Sequence, residues 1–232
     1  MNSSQLSKRL ETVAKYVPAG AIVADIGSDH AYLPCYLVKS GKITKAVAGE
    51  IVEGPFQSAV SQVQEDGLTD HIEVRKGSGL SVITPNEVTA VTIAGMGGPL
   101  IADILETGKQ SLPGVQRLIL QPNISGISIR LWLQENGWTI TKEEILEEDQ
   151  KIYEVIVADL TIEKKPLNAQ DLLFGPYLRV EKSAVFKKKW LQELAQMRKI
   201  KKQIETSGQS EKNLERLREL EEKMRLIEEE IK

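Results

Sequence analysis

Two carboxylates bracket one glycine in Asp25-Ile26-Gly27-Ser28-Asp29-His30. The stretch follows the short apolar run Ala21-Ile22-Val23-Ala24 and leads into a helical pattern ending near Ser40-Gly41. A strand that enters a glycine turn and then a helix is where open α/β sheets hold nucleotide-like ligands. Gly27 allows close backbone approach. A dinucleotide site needs G-x-G-x-x-G, a loop bare of side chains over a pyrophosphate. Here Asp29 and Tyr32 stand at the second and third glycine positions. A carboxylate repels a diphosphate but attracts an ammonium or sulfonium centre. S-adenosylmethionine has both centres and no phosphate, so the pattern favours that methyl donor over NAD(P).

In an open parallel sheet the ligand lies outside the carboxyl ends of the strands. Besides Asp25 to His30, those ends are Glu50-Ile51, Gly77-Ser78-Gly79, Ala94-Gly95-Met96-Gly97 and Gln121-Pro122-Asn123. Glu50 ends its strand 25 residues after Asp25, near the spacing of about 20 at which an acid accepts ribose hydroxyls. Gly77 and Ser78 would flank an adenine with backbone and a small hydroxyl. Ala94, Gly95 and Met96 combine close backbone approach with an adaptable apolar side chain. Of the two histidines, His30 falls inside the cluster and is counted with it, while His71 opens a strand and reads as structural. Cys35, one turn into an apolar helix, reads as a buried, inert thiol.

These ends need strands to carry them. Short apolar runs at Ile22–Asp25, Ala46–Glu50, Ile72–Arg75, Ala90–Ala94 and Arg117–Leu120 alternate with helical patterns. Pro55 suits the first turn of the helix after the second strand. Such alternation implies a mostly parallel sheet with helices on both faces. Trp138–Leu146 and Ile152–Leu160 follow with no helix between them, joined through Glu147–Gln150, and read as an antiparallel hairpin. Ahead of the sheet, Ser3 or Ser4 can cap a helix bearing Leu6, Leu10, Val13 and Val17, expected to cover a sheet edge. Its Arg9 is a candidate for the ligand mouth.

Beyond Lys164-Lys165-Pro166 the character changes. Residues 164–177 read as a linker. Trp190, Leu194, Met197, Lys201 and Ile204, then Leu217, Leu220, Met224, Ile227 and Ile231, form two narrow seams. Ser207-Gly208-Gln209-Ser210 separates them, so residues 178–232 read as an antiparallel coiled-coil hairpin. The expected division is therefore an α/β methyl-donor domain over 1–163, the linker, and this helical hairpin. Net charge is −3, with a basic excess beyond residue 160, a pointer to a polyanion as much as to a solvated helix face.

A single cysteine excludes an internal disulfide and a zinc cluster, and no metal is expected. No apolar run approaches the roughly 18 residues of a membrane span, and the first residues lack a secretory signal pattern, so the cytoplasm is the default location.

The strings Asp25-Ile26-Gly27-Ser28-Asp29-His30-Ala31-Tyr32-Leu33-Pro34, Ile93-Ala94-Gly95-Met96-Gly97-Gly98 and Leu120-Gln121-Pro122-Asn123 resemble the bacterial tRNA adenine-22 N1-methyltransferases, the TrmK family, over essentially the whole chain. The resemblance implies a Rossmann-like class I methyltransferase sheet with a closing hairpin and a coiled coil. It implies S-adenosylmethionine as donor and N1 of adenine 22 in tRNA as acceptor. Carried over by position, Asp25, Gly27 and Asp29, with Ser28 and His30 beside them, line the methionine side. Glu50 and Ile51 belong to the ribose end, and Gly77 and Ser78 to the adenine. Ala94, Gly95 and Met96 complete the donor site. Met96 and Asn123 face the acceptor base, with Asp29 and Asn123 as the catalytic pair. Lys187, Lys188, Lys189, Lys199 and Lys202, with Arg9, would then hold tRNA phosphates. Gly95-Met96-Gly97-Gly98 stands where many adenine amino-group methylases carry Asn/Asp-Pro-Pro-aromatic, which favours a ring nitrogen as target. The expected assembly is a monomer or weak homodimer. The rival readings are a methyltransferase for another RNA, protein or small molecule, and a non-catalytic nucleotide-binding module with a dimerising coiled coil.

Overall fold

Alternation of apolar and small residues along the strands settles which layer each side chain joins. A computed structural model describes residues 2–161, 166–206 and 210–232. Lys164-Lys165 of the expected linker and Ser207-Gly208-Gln209 of the expected turn lie outside the described residues. Seven strands form one sheet: β1 (Ile22–Ile26), β2 (Lys45–Glu50), β3 (Ile72–Lys76), β4 (Ala90–Gly97), β5 (Arg117–Ile124), β6 (Trp138–Glu148) and β7 (Lys151–Leu160). Their order is β3-β2-β1-β4-β5-β7-β6. The first five are parallel, and β7 runs antiparallel to both β5 and β6. This is the sheet of the Rossmann-like class I methyltransferases.

Helices α1 (Lys8–Tyr16), α2 (Tyr32–Lys39) and α3 (Glu53–Glu65) bury Val13, Leu37 and Ala59 against Val23, Ala46 and Ile119 on one face. Helices α4 (Gly98–Thr107) and α5 (Gly126–Glu135) bury Ile101, Leu105 and Trp132 against Ala24, Leu118 and Leu120 on the other. The switch from Leu118 to Ile119 to Leu120 is the period of two in a strand buried on both faces. One expectation at the N-terminus changes. Ser7, not Ser3 or Ser4, caps α1 by accepting from Leu10 N at 3.3 Å. The helix packs across β4, β5, β7 and the edge strand β6, so it covers that edge of the sheet, its apolar stripe turned inward.

The closing hairpin turns through Asp149-Gln150 alone, both at positive φ (48° and 62°), as a two-residue turn between twisted strands requires. The expected linker holds α6 (Ala169–Phe174), started by a reciprocal capping box between Asn168 and Asp171. Its apolar content was too short for a helical period to emerge. Then come α7 (Leu178–Glu181), α8 (Ala184–Thr206) and α9 (Glu211–Glu230). A third core joins Phe174, Phe186, Trp190, Leu194, Met197 and Ile227. Arg198 pairs with Glu228 at 2.8 Å and Lys201 with Glu221 at 2.5 Å, so α8 and α9 run antiparallel.

A buried charge cluster joins these helices to the sheet. Arg130 of α5 is 1% exposed. It donates to Glu143 Oε1 of β6 at 2.8 Å and to Glu154 Oε2 of β7 at 2.9 Å. Lys189 of α8 pairs with the other oxygen of Glu154, and Glu143 Oε2 accepts from Tyr177 N at 3.0 Å. Two cations thus meet two anions. Gly175, at φ +90°, passes so close that a Cβ there would lie 2.6 Å from Glu143 Oε2.

Burial pushes the Glu154 carboxyl up, but Lys189 and Arg130 overcome it and hold the group at about 2. Glu143, facing one cation, is raised by burial. A carboxyl depressed in the folded state adds stability above its unfolded pKa of about 4.3 and loses it as pH falls toward 2. Glu154→Gln should lower stability near pH 7 by about 3 kcal/mol, because buried Arg130 and half-buried Lys189 lose a partner. It should also flatten the decline between roughly pH 5 and 2; urea unfolding at a series of pH values reads both.

Candidate active site

The five parallel strands end along one rim, and buried polar contacts fasten neighbouring ends together. Asp25, the last-but-one residue of β1, is buried. Its carboxylate accepts from Ser28 Oγ and Thr92 Oγ1, each at 2.6 Å, which ties the glycine turn to β4. Burial pushes this carboxyl up, against the pull of the Ser28 and Thr92 hydroxyls and the Arg9 charge. Asp25 therefore shapes the turn from within.

At the surface of that turn, Gly27 adopts φ +73°. Gly27 N and Ser28 N both donate to Gly49 O, at 2.8 and 3.0 Å. Past Asp29, His30 and Ala31 also have positive φ, 60° and 51°. A single helical turn of 3-10 type over Asp29–Ala31 precedes α2. Two non-glycine residues in left-handed conformation mark backbone strain of the kind concentrated at functional sites. The consequence is that Asp29 points outward: its side chain is 68% exposed and meets His30 Nδ1 at 2.6 Å. His30 in turn stacks on Tyr32, centroids 5.2 Å apart.

Glu50 closes β2. Its Oε1 accepts from Ile51 N and Val52 N, both at 2.8 Å, and its other oxygen takes no hydrogen bond from the described residues. Ile51 and Val52 stand 57% and 56% exposed beside it, an apolar ledge next to a carboxylate. Gly77 N donates to Glu50 O at 3.0 Å, which places Gly77 and Ser78 next in line.

On the other side, β4 and β5 run past their expected ends at Ala94 and Leu120. Gly95, at φ +81°, sits in a bulge where the register shifts between Ala94 and Met96. The extra residue bends the strand and lets pairing resume as Met96 with Pro122 and Gly97 with Ile124. Met96 thereby leans over the turn: a Cβ on Gly27 would lie 2.1 Å from Met96 Cε. Asn123 is exposed and donates from Nδ2 to Gly95 O at 2.7 Å.

So the rim brings together Asp25, Gly27, Ser28, Asp29, His30, Glu50, Ile51, Gly77, Ser78, Ala94, Gly95, Met96 and Asn123. Arg9 joins them from α1, its Nη1 2.6 Å from Gln121 Oε1 and its guanidinium 5.5 Å from the centroid of the Tyr153 ring. A groove of about 620 Å³ continues from Asn123 past Ile124, Tyr153 and Lys151 to Gln192 and Gln196 of α8. The basic residues of α8 divide. Lys189 is committed to Glu154 and Lys188 to Glu147 at 2.6 Å. Lys187, Lys199 and Lys202 are exposed.

Beyond placing Gln121 at a strand end, sequence reasoning assigned no role to Gln121, Thr92 or Tyr153. The available signal was a polar residue inside an apolar strand, Gln121 after Leu118-Ile119-Leu120 and Thr92 between Val91 and Ile93; such a group must find a buried partner. Cys35 is buried, and burial with the nearby Asp66 charge pushes its thiol up to about 12, which makes it unreactive. Among the described residues no three His, Cys, Asp or Glu side chains gather as a metal site, and no helix is long and apolar enough to cross a membrane.

Gly27→Ala should destabilise the protein through both its backbone angle and the Met96 contact. In a Met96→Ala background the same change should cost only the left-handed backbone part, about 1–2 kcal/mol. Chemical denaturation of the four proteins of this cycle separates the two.

The family model for tRNA (adenine(22)-N(1))-methyltransferases, TrmK, matches residues 23–229. A tRNA (adenine(22)-N(1))-methyltransferase of Bacillus subtilis (strain 168) is 53% identical over 236 positions, covering 100% of this chain and 99% of the relative. The crystal structure of B. subtilis TrmK aligns with a TM-score of 0.94 at 51% identity, covering 99% of this chain and 100% of that one. A Streptococcus pneumoniae protein solved in complex with S-adenosyl-L-methionine aligns with a TM-score of 0.86 at 45% identity, over 98% and 100% of the two chains. A sequence match that spans sheet, rim and helical arm together shows that the chain belongs to the TrmK family of tRNA (adenine(22)-N(1))-methyltransferases.

Proposed function

We infer that the chain methylates N1 of adenine 22 in tRNA, with S-adenosylmethionine as donor. The whole-length match to the TrmK family carries this reading. The donor set at the rim fits that ligand. An exposed carboxylate at Asp29, a ribose-height carboxylate at Glu50 and an apolar ledge at Ile51 suit a phosphate-free, cationic nucleoside. S-adenosylmethionine supplies an electrophilic methyl on a sulfonium.

In this reading Glu50 accepts the ribose hydroxyls with the oxygen its own backbone leaves open. Gly77 and Ser78 border the adenine with Ile51. Asp25, Gly27 and Ser28 shape the methionine side, with His30, Ala94 and Gly95 completing its walls. Adenine N1 has its own lone pair, so a strong base is not obligatory, and placement in line is the main demand. Alkylation puts positive charge on the ring, which Asp29 stabilises before accepting a proton. Met96 and Asn123 hold the acceptor base. Its Watson–Crick edge is hidden in a pair, so the base enters unpaired or extruded, with the groove beyond Asn123 as its path.

Residues 1–163 then form the catalytic part, 164–177 the connection and 178–232 an arm that presents Lys187, Lys199 and Lys202 to tRNA phosphates. The seam residues Leu194, Met197 and Ile204 are buried within a single chain, which supports a monomer over a coiled-coil dimer. A tRNA substrate also supports action in the cytoplasm.

Incubation with tRNA and donor, followed by mapping of the modified nucleoside, should place 1-methyladenosine at position 22; modification elsewhere, or of protein alone, overturns the reading. Asp29→Ala should lose turnover while keeping its melting temperature, since the side chain is exposed. Replacing Lys187, Lys199 and Lys202 by Glu should raise KM for tRNA about tenfold or more, leave kcat in place and make the salt dependence of binding shallower.

A further inference from the structure

Gln121 is completely buried, 0% exposed, yet its carboxamide makes four polar contacts. Oε1 accepts from Arg9 Nη1 at 2.6 Å and from Gly95 N at 2.9 Å. Nε2 donates to Pro122 O at 2.9 Å and to Asn123 Oδ1 at 3.4 Å. An isolated carboxamide can sit either way round. This one cannot, because a guanidinium and a backbone N–H are donors only. They claim the oxygen, and the amino end is left for Pro122 and Asn123. Asn123 receives that N–H on Oδ1 and sends its own Nδ2–H to Gly95 O at 2.7 Å. Arg9 thus sets the direction of Gln121, and the Gln121 N–H together with the acceptor-only Gly95 O sets the direction of Asn123.

Arg9 is itself held from several sides. Glu148, at the tip of the β6–β7 hairpin, accepts from Lys8 N and Arg9 N at 2.7 and 3.3 Å. The Tyr153 ring lies under the guanidinium.

We propose that Arg9 and Gln121 are positioning residues that fix which way round Asn123 offers its carboxamide to the acceptor base. The proposal rests on the reading of Asn123 as acceptor-facing. The chemistry makes direction matter. The Watson–Crick edge of adenine presents amino N–H donors beside the N1 lone pair. A reversed Asn123 sets donor against donor and can place an N–H on the lone pair that must attack. Arg9, assigned from the sequence to tRNA phosphates, acts here through Gln121.

The test is steady-state kinetics at saturating S-adenosylmethionine with varied tRNA, on the full chain, with melting temperature and donor affinity measured in parallel. Gln121→Glu keeps the acceptor for Arg9 and Gly95 but cannot donate to Asn123. Arg9→Met removes the cation that orients the pair. Both should lower kcat about 10- to 100-fold, as a misplaced contact does, with donor affinity within twofold of the parent. Arg9→Lys keeps a donor-only cation and should recover most of the rate. If the buried Gln121→Glu variant fails to fold, the half-buried Arg9 pair carries the test alone. In an Asn123→Ala background neither Gln121→Glu nor Arg9→Met should add a further loss. Parental kcat in Arg9→Met, or losses that multiply with Asn123→Ala, overturn the proposal. Parental kcat in Asn123→Ala itself overturns the acceptor role of Asn123 and this proposal with it. Loss there, with parental rates in the Arg9 and Gln121 variants, overturns this proposal only.

Discussion

A fully buried arginine must have its charge matched, and in this protein that requirement holds the two halves of the molecule together. Arg130 reaches from α5 to Glu143 on β6 and Glu154 on β7, and Lys189 on α8 answers Glu154 from the other side. Each partner comes from a different element, so the cluster forms only when α5, the closing hairpin and the long helix are all seated. Ion pairs of this kind contribute little net stability against an apolar core, but a missing member is severe. The cluster therefore acts mainly on geometry. It docks α8 beside the groove that leads away from Asn123, and so sets where the helical arm stands relative to the rim.

The same logic, at smaller scale, builds the rim. Asp25 with Ser28 and Thr92 anchors the glycine turn, and Gln121 with Arg9 and Gly95 anchors the bulge. Both use a buried polar group that must be satisfied. Between the two anchors the backbone is free to take unusual angles at Gly27, His30, Ala31 and Gly95. Rigid support under a strained surface presents Asp29 and Asn123 outward without relying on their own packing.

Much of this was legible beforehand. Apolar runs placed every strand within a few residues, most plainly the central ones, because a strand buried on both faces has nowhere to put polar side chains. The rim residues followed from topology, since parallel strands joined by helices must end on one side. Three features were not legible. The β4 and β5 extensions depend on a bulge, and a lone glycine does not say whether it ends a strand or bends it. The helix α6 is six residues long, below the length at which a period can be seen. The fate of the α8 lysines depends on their neighbours: Lys189 looks in sequence like Lys187, yet only a partner from β7 removes it from the surface.

By itself, the sequence determined the element types, the parallel order that gathers the strand ends, and a carboxylate-rich turn suited to a cationic donor. These depend on local periodicity and on single residue types, which a linear chain carries in full. Tertiary structure alone decided which polar residues are anchors and which are left facing solvent. Asp25 and Asp29 lie four positions apart and are chemically the same, but one is spent on Ser28 and Thr92 and the other stands in solvent. That difference arises from which side of a single turn each falls on, and from partners brought to it by strands distant in sequence.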